Sequence, residues 1–207
     1  SNNHTKNYGQ VDLQMEAHVY HEGVANKGLS NVVSLTVNTL TSAGFLRDDD
    51  IGGELVIVFD NCSGQNKKNT FLKLMCWLVE VGYFEKVKFV FLIVGHTKNA
   101  CDRLFNMLKT SYRQQNLFTM EQLNTALSKS RTVSVVPTIP EDCFDYESFF
   151  NLFYSEFKGK IKQNHIFSCN STMARIGNQF LVELRESNLH EHEVSYHNAV
   201  KMTFHGR

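Results

Sequence analysis

Residues 54–69 read ELVIVFDNCSGQNKKN: an unbroken apolar run from Leu55 to Phe59, then an acid, Asp60, then a polar turn that carries Lys67 and Lys68. A run without a polar face predicts a central strand covered on both sides. The carboxyl ends of such strands are where open α/β sheets present their ligands, and Asp60 stands at that end.

Working outward, Val11, Leu13, Met15, Ala17 and Val19 alternate with Asp12, Gln14, Glu16 and His18, the period of a half-exposed strand. Leu29, Val32, Val33, Thr36, Val37 and Leu40 recur three and four apart and predict an amphipathic helix that Gly44 terminates. Phe71, Leu74, Met75, Leu78 and Val79 predict a second helix ending near Gly82, and Val87 to Val94 reads as a second continuous apolar strand. After the turn GHTKN, residues 95–99, a third helix carries Cys101, Leu104, Phe105, Leu108 and Tyr112 toward the core. The order is strand then helix, three times over. Right-handed crossovers then place 54–59 and 87–94 parallel in one sheet.

Beyond about Asn116 the pattern loosens. Thr119 with Gln122 reads as a capping box, Arg131 to Val136 as a strand, and Asp145 to Phe157 as a helix. On that helix Tyr146, Phe149, Phe150, Phe153, Tyr154 and Phe157 have the spacing of a face packed in a core, not of a base-stacking platform. The last fifty residues are polar, with a strand expected at Gln179 to Leu184, and His190, His192, His197 and His205 are too irregular for a zinc site. The expected division is a core over 1–117 and an α+β extension over 118–207 packed on it.

The 207 residues are 42% hydrophobic, enough for a sizeable core, and 21 basic side chains balance 21 acidic ones. Any polyanion partner must therefore be met by a local patch. The cysteines (Cys62, Cys76, Cys101, Cys143, Cys169) include no Cys-x-x-Cys pair, which predicts free thiols and an intracellular location, the nucleus included. Sequons at Asn61 and Asn170 lack an accompanying signal peptide, and no apolar run reaches membrane-spanning length, so no membrane association is expected. The chain begins Ser-Asn-Asn and reads as a fragment.

A second acid, Asp102, opens the third helix. Two hard carboxylates brought together suit Mg²⁺ or Mn²⁺, and such ions serve phosphodiester cleavage or strand transfer on nucleic acid. Each acid also has an ordinary use, Asp60 as a turn former and Asp102 as a complement to the helix dipole. Gln65, Asn66, Lys67 and Lys68 stand where a helix starts, a place that receives phosphate or simply caps the turn. The run SGQNKKNT lacks the spacing of a nucleotide-binding phosphate loop. His96 follows the second strand at the sheet end expected for Asp60, where it is placed for proton transfer or phosphate contact, and Lys98 and Arg103 add positive charge. Asp102, Asn106, Lys109 and Arg113 share one side of the third helix, as a polar stripe that follows a nucleic-acid backbone or faces solvent.

Three stretches, AHVYHEGVANKG (17–28), DNCSGQNKKN (60–69) and GHTKNACDRLFN (95–106), together resemble a large family of eukaryotic proteins filed under a domain of unknown function, with a transposon-derived character. The resemblance covers about residues 8–157. It implies a ribonuclease H-like fold, a three-layer mixed sheet with helices on both faces and a small C-terminal α+β appendage. It also implies Asp60 as the second acid of a metal-binding triad and Asp102 as the third. The family carries its first acid on a strand before the region matching Tyr8–Gly9, and that strand is absent here. The expected function is therefore metal-dependent transposase- or nuclease-like chemistry in an intact parent, incomplete in this chain. A catalytically silent module for nucleic-acid or protein binding is the alternative, and a phosphate- or nucleotide-binding protein using residues 63–70 a third.

Overall fold

A computed structural model of the chain describes residues 15–21, 29–47, 51–59, 68–92, 100–129, 133–157, 161–171, 179–185 and 200–203. The elements are β1 (Met15–Val19), α1 (Leu29–Ser42), β2 (Gly52–Phe59), α2 (Asn69–Glu80), β3 (Phe84–Phe91), α3 (Ala100–Arg113), α4 (Met120–Ser128), β4 (Val133–Pro137), α5 (Tyr146–Asn151), β5 (Ile166–Asn170), β6 (Gln179–Arg185) and β7 (Val200–Thr203). They form two compact units, a smaller one from 1–21 and 98–138 and a larger one from 22–97 and 139–207.

In the larger unit the sheet runs β2-β3-β5-β6-β7. The α2 crossover joins β2 to β3 in parallel, as expected, whereas β5, β6 and β7 add on antiparallel. The inward row of the first three strands is Leu55, Ile57, Phe59, Val87, Phe89, Phe91, Phe167 and Cys169. It packs in one core with Val33, Val37 and Leu40 of α1, Leu74, Met75 and Leu78 of α2, and Phe150, Tyr154 and Phe157. The rings are close: Phe59 lies 4.9, 5.3 and 5.2 Å from Phe71, Phe89 and Phe91, mostly edge to face. Trp77 sits between Tyr83 (5.7 Å) and Phe150 (6.0 Å), at the seam of α2 and α5.

The architecture is mixed α/β, with two sheets and five α-helices among the described residues. The position of β2 corrects the expectation of a central strand covered on both sides. Among the described residues β2 ends the sheet order, and its outward Val56 and Val58 are 49% and 54% exposed. The three α-helices of this unit share one core, and the outward row of β2 faces away from it. β3 begins three residues before the apolar run that announced it. Phe84 is buried beside Gly52, where an added Cβ would come within 2.8 Å of the Phe84 ring, and Lys86 pairs with Glu54 at 3.0 Å across the strands. α1 and α2 end as expected, each passing into a glycine of positive φ, Gly44 (71°) and Gly82 (89°).

Downstream, the expected helix 145–157 stops at Asn151. Two tertiary bonds take the chain away from it: the Phe157 N–H donates to Asn69 Oδ1 (3.0 Å), and Asn151 Oδ1 accepts from Lys73 Nζ. β5 and β7 were not foreseen. β5 lies inside the sheet between β3 and β6, while the strand expected at 179–184 is observed as β6.

In the smaller unit β1 and β4 pair in parallel, Met15 opposite Val133 through Val19 opposite Pro137. Leu108, Leu127 and Val133 form its core with Ala17, Val19, Tyr112, Leu123 and Val135 around them. The capping box of α4 is present: Thr119 Oγ1 accepts from the Gln122 N–H (3.2 Å), and Gln122 Oε1 accepts from the N–H groups of Thr119 (3.3 Å) and Phe118 (2.8 Å). Thr119→Ala is expected to destabilise this unit by about 1 kcal/mol in urea unfolding followed by circular dichroism. An unchanged midpoint would show that the cap carries no weight.

Candidate functional site

The sheet end that was expected to carry chemistry is defined by the last residues of β2 and β3. Phe59 stands opposite Phe91, and the Phe59 carbonyl accepts from the Leu92 N–H at 3.0 Å. The Phe91 N–H in turn donates to the His165 carbonyl at 2.7 Å. Both strands therefore finish side by side, with Phe59 fixed from below by three phenylalanine rings. In sequence, Asp60 comes next after one strand, and His96 and Lys98 come after the other.

Asp60, Gln65, Asn66, Lys67, His96 and Lys98 themselves lie outside the described residues. Asp102 is the third residue of α3, and its carboxylate is likewise outside them. α3 belongs to the smaller unit and β2 and β3 to the larger. Among the described residues no three His, Cys, Asp or Glu side chains converge as a metal site.

The start of α2, where residues 60–68 lead, is described. Lys68 takes an extended conformation before the first turn and makes no side-chain cap, and that turn holds no acid. Asn69 directs its side-chain oxygen to Phe157 instead of to its own helix. The positive end of the α2 dipole is thus left uncompensated by the side chains of its own first turn.

On α3, Arg103, Asn106 and Arg113 are exposed. Lys109 is half-buried, with its ammonium 4.6 Å from the centre of the Phe105 ring. The expectation that Phe105 faces the core is corrected: it is 50% exposed and lies under Lys109, while Leu108, three residues on, is the buried contact.

One titratable group was missed. Lys73 lies in the middle of α2, only 2% exposed, and donates to Asn151. Burial lowers its pKa, while the carboxylates of Glu156 and Glu147 pull the other way. The signal was a single lysine inside the apolar run FLKLM, residues 71–75.

The fold is thus mixed α/β, and among the described residues of the larger sheet β2 and β3 are the parallel pair, finishing side by side. The model of the family described as Domain of unknown function (DUF7869) matches residues 15–182, and the chain belongs to that family. No curated protein and no solved structure matches it. Among the described residues no helix is long and apolar enough to cross a membrane.

Proposed function

We propose that the chain is a ribonuclease H-like domain of transposon-derived, intracellular character, whose fold serves metal-dependent phosphodiester chemistry on nucleic acid in an intact parent and carries that site incompletely. The side-by-side termination of the parallel strands β2 and β3 supports this reading, because it starts the Asp60 turn and the His96 turn from one sheet end. Asp60 and Asp102 are the carboxylates that would hold Mg²⁺ or Mn²⁺, and their donor chemistry fits a hard cation that keeps water and phosphate oxygens in its shell. A bound ion supplies Lewis-acid stabilisation of the phosphoryl oxygens. Gln65, Asn66, Lys67 and Lys98 take the substrate side with the uncompensated start of α2, His96 handles protons, and Arg103 meets the backbone as a point of positive charge.

Titration calorimetry with Mn²⁺ tests this. The wild-type chain is expected to give weak but saturable binding heat, and Asp60→Ala and Asp102→Ala each to abolish it while circular dichroism stays unchanged. Equal heats in the wild type and both variants would end the proposal.

A further inference from the structure

Two thiols meet in the core of the larger unit, away from the strand ends. Cys76 is on α2 and Cys169 on β5, elements that pack directly on one another, and both residues are fully buried in the same apolar cluster. Cys169 stands opposite Val87 of β3 and points inward like its neighbour Phe167. Cys169 is the strongest influence on the Cys76 thiol, which sets the two side chains next to one another in that cluster. These residues lie 93 positions apart in sequence, and neither has a Cys-x-x-Cys partner.

We propose that Cys76 and Cys169 form a redox-active dithiol that a low-molecular-weight disulfide converts to an intramolecular disulfide bridging α2 and β5. The structure favours the pair over Cys143, which lies in the segment before α5 and faces no other described cysteine. The bridge joins two elements already packed on one another, whereas bridging distant cysteines requires backbone movement. The chemistry balances as two exchanges. Cys169 loses its proton and attacks one sulfur of the oxidant, forming a mixed disulfide and releasing one small thiolate. Cys76 then loses its proton and displaces the second small thiol, so two protein thiols and one disulfide give one protein disulfide and two small thiols.

Burial also sets the pace. The Cys76 thiol is held well above its ordinary pKa by the contact with Cys169 and by exclusion of water, so it stays protonated at neutral pH and reacts only through local opening. The bridge therefore forms slowly. Once formed it ties the helix that follows residues 60–68 to the middle of the sheet, and closes a loop from 76 to 169 that takes in residues 98–138 of the smaller unit.

The test uses the full chain in native buffer with oxidised glutathione, quenched in acid, denatured and alkylated with N-ethylmaleimide. The expected result is a loss of about 2 Da before alkylation and two fewer maleimide adducts than the reduced chain, with a Cys76–Cys169 cross-linked peptide after proteolysis. The melting temperature of the oxidised chain is expected to rise. Cys169→Ala and Cys76→Ala should each abolish the mass loss. Full alkylation of the oxidant-treated wild-type chain, or a bridge joining any other two cysteines, would overturn the proposal.

Discussion

Phe89→Ala lowers the unfolding free energy of the larger unit by about 3–5 kcal/mol, the range for removing a large aromatic from a closed core. Phe89 is fully buried on β3, between Ile57 of β2 on one side and Phe167 of β5 on the other. Its ring meets Phe59 at 5.3 Å and 84°, and Phe71 at 6.2 Å and 82°. Backbone ladders hold both flanking strands in register, so the walls of the new cavity cannot close by sliding, and the aromatic edge contacts are lost together with the buried area. Equilibrium urea unfolding checks the value. Phe118→Ala is the matched control: Phe118 is 85% exposed, and its removal is expected to change stability by no more than about 0.5 kcal/mol. A Phe89 loss no larger than the Phe118 loss would show that the phenylalanine cluster is not the core.

Lys73→Glu is the second large effect, with an expected destabilisation of about 3–5 kcal/mol. The replacement would put a buried carboxylate where the ammonium donates to the Asn151 carbonyl oxygen, with Glu147 and Glu156 nearby, so attraction becomes repulsion and the Asn151 acceptor loses its donor. Lys73→Met keeps the stem volume and removes the charge, and is expected to be close to neutral. The pH dependence has a definite sign. Burial holds the folded-state pKa of Lys73 below the ordinary 10.5, so the unfolded chain binds that proton more tightly. This lysine therefore contributes a stability that rises as pH climbs through the lowered folded value toward 10.5, and levels above it. The slope disappears in Lys73→Met, which urea midpoints across alkaline pH would show.

The helices were legible because their apolar spacing and their glycine terminators agree: Gly44 and Gly82 take positive φ where the periodic runs stop. The strand at Leu55–Phe59 was legible as a strand but not as to its place. An uninterrupted apolar run is equally compatible with two covered faces and with one face left half open, as at Val56 and Val58. The start of β3 was hidden because Glu85 and Lys86 interrupt the apolar run, although Lys86 finds Glu54 across the ladder. β5 was hidden for a different reason. Ile166–Asn170 is short, and its burial comes from pairing with β3, some 80 residues earlier in the chain (Val87 opposite Cys169), a contact that no local pattern announces.

For the candidate site, the strand frame alone can be compared, since Asp60, His96 and the Asp102 carboxylate lie outside the described residues. Parallel strands joined by a crossover must finish together, and β2 and β3 do so. Asp102 depends on how a helix is carried back toward that end, which residue spacing alone does not fix. Lys73 went unnoticed because a lone lysine in an apolar helix is ordinarily read as a solvated position, whereas here its partner, Asn151, comes from the far side of the sequence.

The chain holds a single tryptophan, Trp77, set between Tyr83 and Phe150 in the larger unit. Its fluorescence is thus a private reporter. Emission follows the loosening of α2 from α5, while the smaller unit, with α3, α4 and the β1–β4 pair, contributes none of it. Far-ultraviolet ellipticity sums over both units. A gap between the two denaturation curves would measure how independently the half of the chain bearing Asp102 comes apart from the half bearing Asp60, without a label being attached.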